Sequence, residues 1–268
     1  MSTLFRRSFF NISVNPESSS GIIILSHNIG SSISGNQPGT WSYYQNTHAD
    51  IFCFQEWLGN SITLKNIKDS LIRKYNSTLT LDQNPWPIFT SLIIIKQGEI
   101  HSTAKGNGAT WADVLYKKDT LRIYNVHLVS NRISGQTEDL MANAKHPNGN
   151  TWQKITRVLR RYKNALLQRT EQAKELKAHI KRSRYPVLLV GDFNDIPSSY
   201  VFRLLGKNMK DAWLNAGNGM AFTYAGKLPF LHIDHILTKG KIEAIDFEIP
   251  RVNYSDHYPV IAKLKVGK

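Results

Sequence analysis

Pro186-Val187-Leu188-Leu189-Val190-Gly191-Asp192-Phe193-Asn194-Asp195 is the stretch whose reading decides the fold. Its first five residues are an apolar, partly β-branched run with no polar alternation, which is the pattern of a strand buried on both faces. It closes on polar residues, so the strand delivers its chemistry at its C-terminal end. If the strand continues to Asn194, side chains two apart share a face, and Asp192 and Asn194 are expected to point to the same side. Upstream, the apolar residues Val158, Leu159, Tyr162, Leu166, Ala173, Leu176 and Ile180 follow helical spacing from Ile155 onward, with Lys and Arg on the other face. Pro186 cannot extend that helix, so its end is expected near Ser183. Downstream, Pro197-Ser198-Ser199 has the composition of a helix start.

The same device recurs along the chain. Gly21 to Leu25 reads as a buried strand that presents Ser26, His27 and Asn28, and Asp50 to Phe54 as another that presents Gln55 and Glu56. A helix is expected around Trp41 to Thr47 and a second over Ile62 to Tyr75. Ser91 to Lys96, Ala109 to Tyr116 and Leu121 to Leu128 have strand character, the last delivering His127. His232 to Leu237 carries Asp234 and His235, and Tyr254-Ser255-Asp256-His257 precedes a closing strand, Pro259 to Leu264. Strands in groups, helices between them and polar residues at strand ends indicate an α/β sandwich with its site along one edge.

The chain has 268 residues, enough for one large domain, and no linker-like tract divides it. Residues 1–20 are expected to be an irregular lead-in, or the cut end of a longer parent, ahead of a single domain over 21–268. Arg6 and Arg7 hint at an export signal, but Asn11, Ser13, Asn15 and Pro16 interrupt the apolar core that one needs. With no signal and no membrane-length apolar run in the chain, the cytoplasm is the default expectation unless the chain is cut from a longer parent, and a monomer is expected. One cysteine, Cys53, excludes an internal disulfide and a cysteine-rich zinc site, and its apolar setting makes it a core residue. Lys and Arg outnumber Asp and Glu by 34 to 20, a formal charge of +14 that favours a polyanionic partner. Eleven basic residues against two Glu lie between Trp152 and Arg184, so this segment holds +9 of that excess.

Phosphate ester hydrolysis requires neutralised phosphoryl oxygens, a positioned water and donors for the developing charge. Glu56, an acid at a strand end, suits a hard cation that prefers oxygen ligands. Asp192 with Asn194 could converge on a phosphate or a water. Asp234 and the Asp256-His257 pair offer a carboxylate to orient an imidazole, either as general base or as a donor to phosphate, and His127 could donate to a phosphoryl oxygen. Taken singly, a strand-end Asp is usually a cap or turn residue. His27, His48, His101, His146 and His179 lack a motif and read as ordinary polar histidines. Strand alternation turns Asp195 and His235 to the opposite face, so both read as structural.

Taken in order, Ser26-His27-Asn28, Asp50 to Glu56, Asn125-Val126-His127-Leu128, Gly191-Asp192-Phe193-Asn194, Ile233-Asp234-His235-Ile236-Leu237 and Ser255 to Val260 resemble the motifs of the endonuclease/exonuclease/phosphatase superfamily. The resemblance spans residues 21 to 264 and implies a four-layer α/β sandwich, two packed mixed β-sheets flanked by helices. It implies a phosphoesterase dependent on Mg²⁺ or Mn²⁺, with Asn28, Glu56 and Asp256 on the metal side and His127, Asp192, Asn194, Asp234 and His257 as the catalytic set. The pattern departs from the abasic-site enzymes, which carry tyrosine in place of His127 and an acid in place of Gly30. Stretches such as Ala221-Phe222-Thr223-Tyr224 look most like uncharacterised bacterial members.

The expected substrate is a phosphodiester, nucleic acid ahead of a phospholipid or phosphoinositide, because Lys154, Arg157, Arg160 and Arg161 on the basic helix could contact substrate phosphates. The rival from another class is a non-catalytic basic module that binds nucleic acid or an anionic membrane through residues 152 to 184.

Overall fold

The computed structural model describes residues 21–30, 39–57, 62–75, 84–101, 107–130, 149–226 and 230–267. The strand expected at the deciding stretch is β7, Val187–Asp192. It lies inside a six-stranded sheet with β4 (Ile93–His101), β5 (Gly108–Tyr116), β6 (Asp119–His127), β8 (Lys210–Asp211) and β9 (Asp234–Lys239), in the order β4-β5-β6-β7-β9-β8. A second sheet runs β10-β11-β1-β2-β3, from β1 (Ile22–Asn28), β2 (Ile51–Gln55), β3 (Ile88–Thr90), β10 (Ile242–Glu248) and β11 (Val260–Val266). Both sheets are mixed: β1 and β2 are parallel, as are β6 and β7, and the other pairings are antiparallel.

The unbroken apolar runs in the sequence exist because these strands are buried on both faces. Along β1, Ile22 and Ile24 turn inward with Ile51 and Cys53 of β2 against Ile123, Leu188, Val190 and Ile236 of the other sheet. Ile23 and Leu25 turn outward and pack with Phe52 and Phe54 under α1 (Thr40–Asn46) and α2 (Ile62–Tyr75). On the opposite flank, Val187 and Leu189 meet Ala173, Leu176 and Ile180 of α3 (Gly149–Arg182) and Val201 and Leu205 of α4 (Tyr200–Gly206). The result is four layers, helix, sheet, sheet, helix, as the resemblance implied. A five-residue helix, α5 (Ala212–Ala216), sits beside β8. Among the described residues, no helix is long and apolar enough to cross a membrane.

Polar groups also join the sheets. Gln55 at the end of β2 donates through Nε2 to Asn125 Oδ1 on β6 at 2.6 Å, and Asn125 Nδ2 donates to the carbonyls of Phe54 and Pro87. Both side chains are fully buried. Each bond contributes only about 1 kcal/mol net, but stranding one buried partner costs about 1–3, so the set pins the register of the two sheets at the end where the site forms.

Three expectations change. The strand ends at Asp192, and Asn194 stands in a left-handed turn with φ of 51°, so the two side chains meet through a turn and not through strand alternation. On α3, Val158, Leu159 and Tyr162 do not reach the core: the first buried side chain is Ala165, while Trp152 and Leu159 are 71% and 61% exposed. The cause is length, because a 34-residue helix spans about 51 Å and strands of six to nine residues cover about 20–30 Å, leaving an overhang. Finally, β3 and β10 were not expected at all. The lead-in, residues 1–20, and His146 lie outside the described residues.

Gly191 is the tightest point of the sheet. Its φ is 132°, and a Cβ there would stand 2.1 Å from the carbonyl oxygen of Val126 on β6. Gly191→Ala is therefore expected to cost more than about 3 kcal/mol in urea unfolding or to prevent folding. Gly206→Ala, in a helix with nothing nearer than 3.8 Å, is expected to stabilise by about 0.5–1 kcal/mol, because it removes only backbone freedom from the unfolded chain.

Candidate active site

The strand registers gather the motifs. Asn28 pairs with Gln55 across β1 and β2, His127 with Asp192 across β6 and β7, and Asp192 with Asp234 across β7 and β9. All these positions lie at one end of the facing sheets.

One carboxylate oxygen is the focus. Asp192 Oδ2 accepts from Asn28 Nδ2 at 2.9 Å, across the two sheets, and from Asn194 Nδ2 at 3.0 Å. His127 Nε2 is 3.7 Å away and His257 Nε2 3.9 Å. The other oxygen, Oδ1, accepts from the main-chain N–H of Asn194 at 2.7 Å, which holds the turn in place. Burial and the neighbouring Asp234 push the Asp192 carboxyl upward, while His257, His127 and Asn28 pull it back.

His127 is fixed from behind. Asn107 Nδ2 donates to its Nδ1 at 3.4 Å, which places the ring proton on Nε2, facing Asp192 and, at 3.5 Å, Glu56 Oε1. His257 is the opposite case. Its Nδ1 donates to Asp234 Oδ2 at 2.9 Å. Burial alone would lower its pKa, but Asp234 and Asp192 outweigh that and push it up to about 10, so the ring is a cation at neutral pH.

On the other side, Asn28 Nδ2 also reaches Glu56 Oε1 at 3.3 Å, and Asn28 Oδ1 accepts from Gly30 N at 3.0 Å. Ser255 Oγ donates to the Asn28 carbonyl at 2.7 Å and stands 3.3 Å from Asp256 Oδ1. Gly30, at φ 61°, leaves space beside that carboxylate, since a Cβ there would stand 3.4 Å from it.

The donor set suits a divalent cation. Asp192, Asp234 and His257 offer ligand atoms within 4.8 Å of one another, and the buried Oδ1 of Asp234 has no hydrogen-bond partner among the described residues. Within that trio the Nδ1 of His257 is already bonded to Asp234. Glu56 and Asp256 are half-buried acids, where Asp192 and Asp234 are buried, so a hydrated hard ion reaches them at lower desolvation cost. The structure thus brings together Asn28, Glu56, His127, Asp192, Asn194, Asp234 and His257, with Asp256 alongside Ser255 and Asn28. It does not bring Lys154, Arg157, Arg160 or Arg161 there: among the described residues these four make no contact with the cluster and stand on the overhang of α3.

Sequence reasoning missed several supports. His27 is fully buried, bonded to Tyr44 Oη at 2.6 Å and to the His257 carbonyl at 3.0 Å, so it props the segment that carries the His257 imidazole. Its place between two motif residues was the available signal. Thr223 Oγ1 accepts from the main-chain N–H groups of Ile233 and Asp234, and the Tyr224 ring stands edge-on to His257 at 5.2 Å. Nothing in the sequence pointed to Asn107.

The family model described as the Endonuclease/Exonuclease/phosphatase family matches residues 25–257. The chain belongs to that family. Its members are metal-dependent hydrolases of phosphate ester bonds, and this chain is one of them. Among solved structures, an endonuclease/exonuclease/phosphatase family protein from Bacteroides thetaiotaomicron is 16% identical at a TM-score of 0.63, over 91% of this chain and 95% of that one. A mannosyl-6-phosphatase of the same organism is also 16% identical, at a TM-score of 0.62 over 91% and 99%. D. rerio TDP2 complexed with a single-strand DNA product is 14% identical at 0.65 over 92% and 100%. At these identities the likeness is one of fold. A search of curated proteins finds no match.

Three buried histidines set an acid limit on this edge. Burial lowers His27 and His232 to about 4 and His235 well below its ordinary value. The unfolded chain binds these protons near pH 6.5, so between pH 6.5 and 4 it holds more protons than the folded one and stability drops as the pH is lowered. Chemical denaturation at pH 7 and pH 5 is expected to show that fall. It should be shallower in His232→Phe by up to about 1.4 kcal/mol per pH unit, the value of one proton.

Proposed function

We propose that this family member hydrolyses a phosphodiester and that nucleic acid is its substrate. The ring of Asn28, Asn194, His127 and His257 about Asp192 Oδ2 carries the reading, since it places a carboxylate and two imidazoles at one point. Glu56, with Asn28 and Asp256, would hold Mg²⁺ or Mn²⁺, which when bound neutralises charge on the phosphoryl oxygens. His257, kept charged by Asp234 and Asp192, donates to phosphate. Asp192, whose carboxyl is raised, takes the proton of the attacking water; Asn194, whose two Nδ2 hydrogens go to Asp192 and the Leu128 carbonyl, holds that carboxylate in place, and His127 Nε2 donates to the charge that develops.

The overhang of α3 supports the choice of polymer. Gln172 and Arg169 contact the loops after β6 and β7, so α3 passes the site edge there, and the residues before Ala165 extend beyond it. From Trp152 to Asn164 this arm has five Lys or Arg and no acid. A backbone of phosphates leaving the site would meet it. The single-strand DNA product in D. rerio TDP2, on the same fold, is compatible with that path.

A second reading has its own observation. Trp152 and Leu159 are exposed beside these cations, the composition of a helix that lies on anionic lipid. A panel of bis-p-nitrophenyl phosphate, plasmid DNA, single-stranded RNA and phospholipid vesicles, with Mg²⁺ or EDTA, separates the two. Hydrolysis of nucleic acid lost in EDTA is expected; cleavage of lipid alone would select the second reading, and no hydrolysis of any ester would defeat both.

Glu56→Ala is expected to abolish hydrolysis while DNA retention on a column persists. Arg157→Ala/Arg160→Ala/Arg161→Ala is expected to raise KM for DNA at least about tenfold and to lower the salt slope of binding by about 2–3, with kcat on bis-p-nitrophenyl phosphate unchanged.

A further inference from the structure

Arg169, on α3, is 1% exposed and is the largest fully buried side chain among the described residues. A guanidinium removed from water is strongly disfavoured unless a charge faces it. Burial does lower its pKa, and Asp195 is the first of the groups that restore it. Arg169 Nη1 is 3.7 Å from Asp195 Oδ2, and that carboxylate is itself only 8% exposed. The pair is therefore an internal one, formed between the middle of a helix and the residue that follows Asn194.

The place of Asp195 in the chain gives the pair its meaning. Asn194 sits at φ 51°, a left-handed conformation that asparagine tolerates but that its surroundings must maintain. Its side chain reaches both Asp192 Oδ2 and, at 3.0 Å, the Leu128 carbonyl in the loop after β6. Immediately beyond it, Asp195 is gripped twice: Arg169 faces its carboxylate, and His235 Nε2 donates to its carbonyl at 3.1 Å. Three residues along the same face of α3, Gln172 Oε1 accepts from Val129 N at 2.9 Å. One face of one helix thus holds both loops between which Asn194 is stretched.

We propose that Arg169 is a positioning residue, which through Asp195 keeps the left-handed Asn194 turn set against the Asp192 carboxylate, with Gln172 holding the opposite loop. The proposal rests on the reading in which Asp192 takes the proton of the attacking water and Asn194 holds that carboxylate in place. It accounts for Asp195 and His235, which alternation had set aside as structural: their side chains do leave the site, and they act from behind it. A displacement of Asn194 by a fraction of its hydrogen-bond length would lower the rate without altering how substrate is held elsewhere.

The test is steady-state kinetics on bis-p-nitrophenyl phosphate with Mg²⁺, beside thermal melts of each variant. Arg169→Met is expected to lower kcat about 10- to 100-fold with KM changed less than about twofold, in protein that still melts cooperatively. Arg169→Lys should recover part of that loss, since it restores the charge, and Arg169→Met/Asp195→Asn should be no slower than the worse single variant. If Arg169→Met does not fold, Gln172→Met, which keeps the volume and drops the acceptor, is expected to lower kcat about tenfold at unchanged KM. A folded Arg169→Met or Gln172→Met with the kcat of the natural protein, or a loss confined to KM, overturns the proposal. Asp192→Asn and Asn194→Ala run beside them: their retaining activity would instead overturn the reading of the site.

Discussion

The hydrogen bond from Asn28 Nδ2 to Asp192 Oδ2 is the constraint around which the molecule is arranged. It connects the C-terminal end of a strand in one sheet to that of a strand in the other, so it exists only while the two sheets face each other in one register. The packing of Ile22, Ile24 and Cys53 against Ile123, Leu188 and Val190 supplies the attraction, but apolar contact is nondirectional and would tolerate sliding. Direction comes from the polar bridges at the site end, where Gln55, Asn125, Asn28 and Asp192 each lose a specific partner if either sheet shifts.

Charge around Asp192 is divided by depth. Asp192 and Asp234 are buried and lean on His257 for compensation, whereas Glu56 and Asp256 remain half open to water. The same chemical group serves two purposes because its surroundings differ. Burial raises the proton affinity of Asp192, Asp234 and Asp192 together hold the His257 imidazole charged, and the wetter pair is open to a hydrated hard cation. No single motif displays this division, because it depends on which strand end lies above which helix layer.

Much of the architecture was legible because the central strands are covered on both sides: runs such as Pro186 to Val190 and Gly21 to Leu25 cannot satisfy any other environment. Edge elements lacked that signature. β3 has three residues beside Pro87, and β10 alternates buried Ile242, Ala244 and Phe247 with exposed charges around a bulge. The candidate site residues were legible where they close an apolar run, as Glu56, His127 and Asp192 do, or open one, as Asp234 does. The turn at Asn194 was misjudged because periodicity assumes that the strand continues, and a left-handed residue ends it. Asn107, Thr223, Tyr224 and Arg169 reach the site by long-range register, which local spacing does not encode.

The overhang of α3 has a consequence that concerns order. A short basic segment in isolation would be mostly unfolded, because the first helical turn is costly to nucleate. Here the turns from Ala165 to Arg182 are already packed on the sheet, so the exposed half is propagated from an existing helix. Whatever docks on it meets side chains presented on a rigid rod and does not have to supply the entropy of forming that rod.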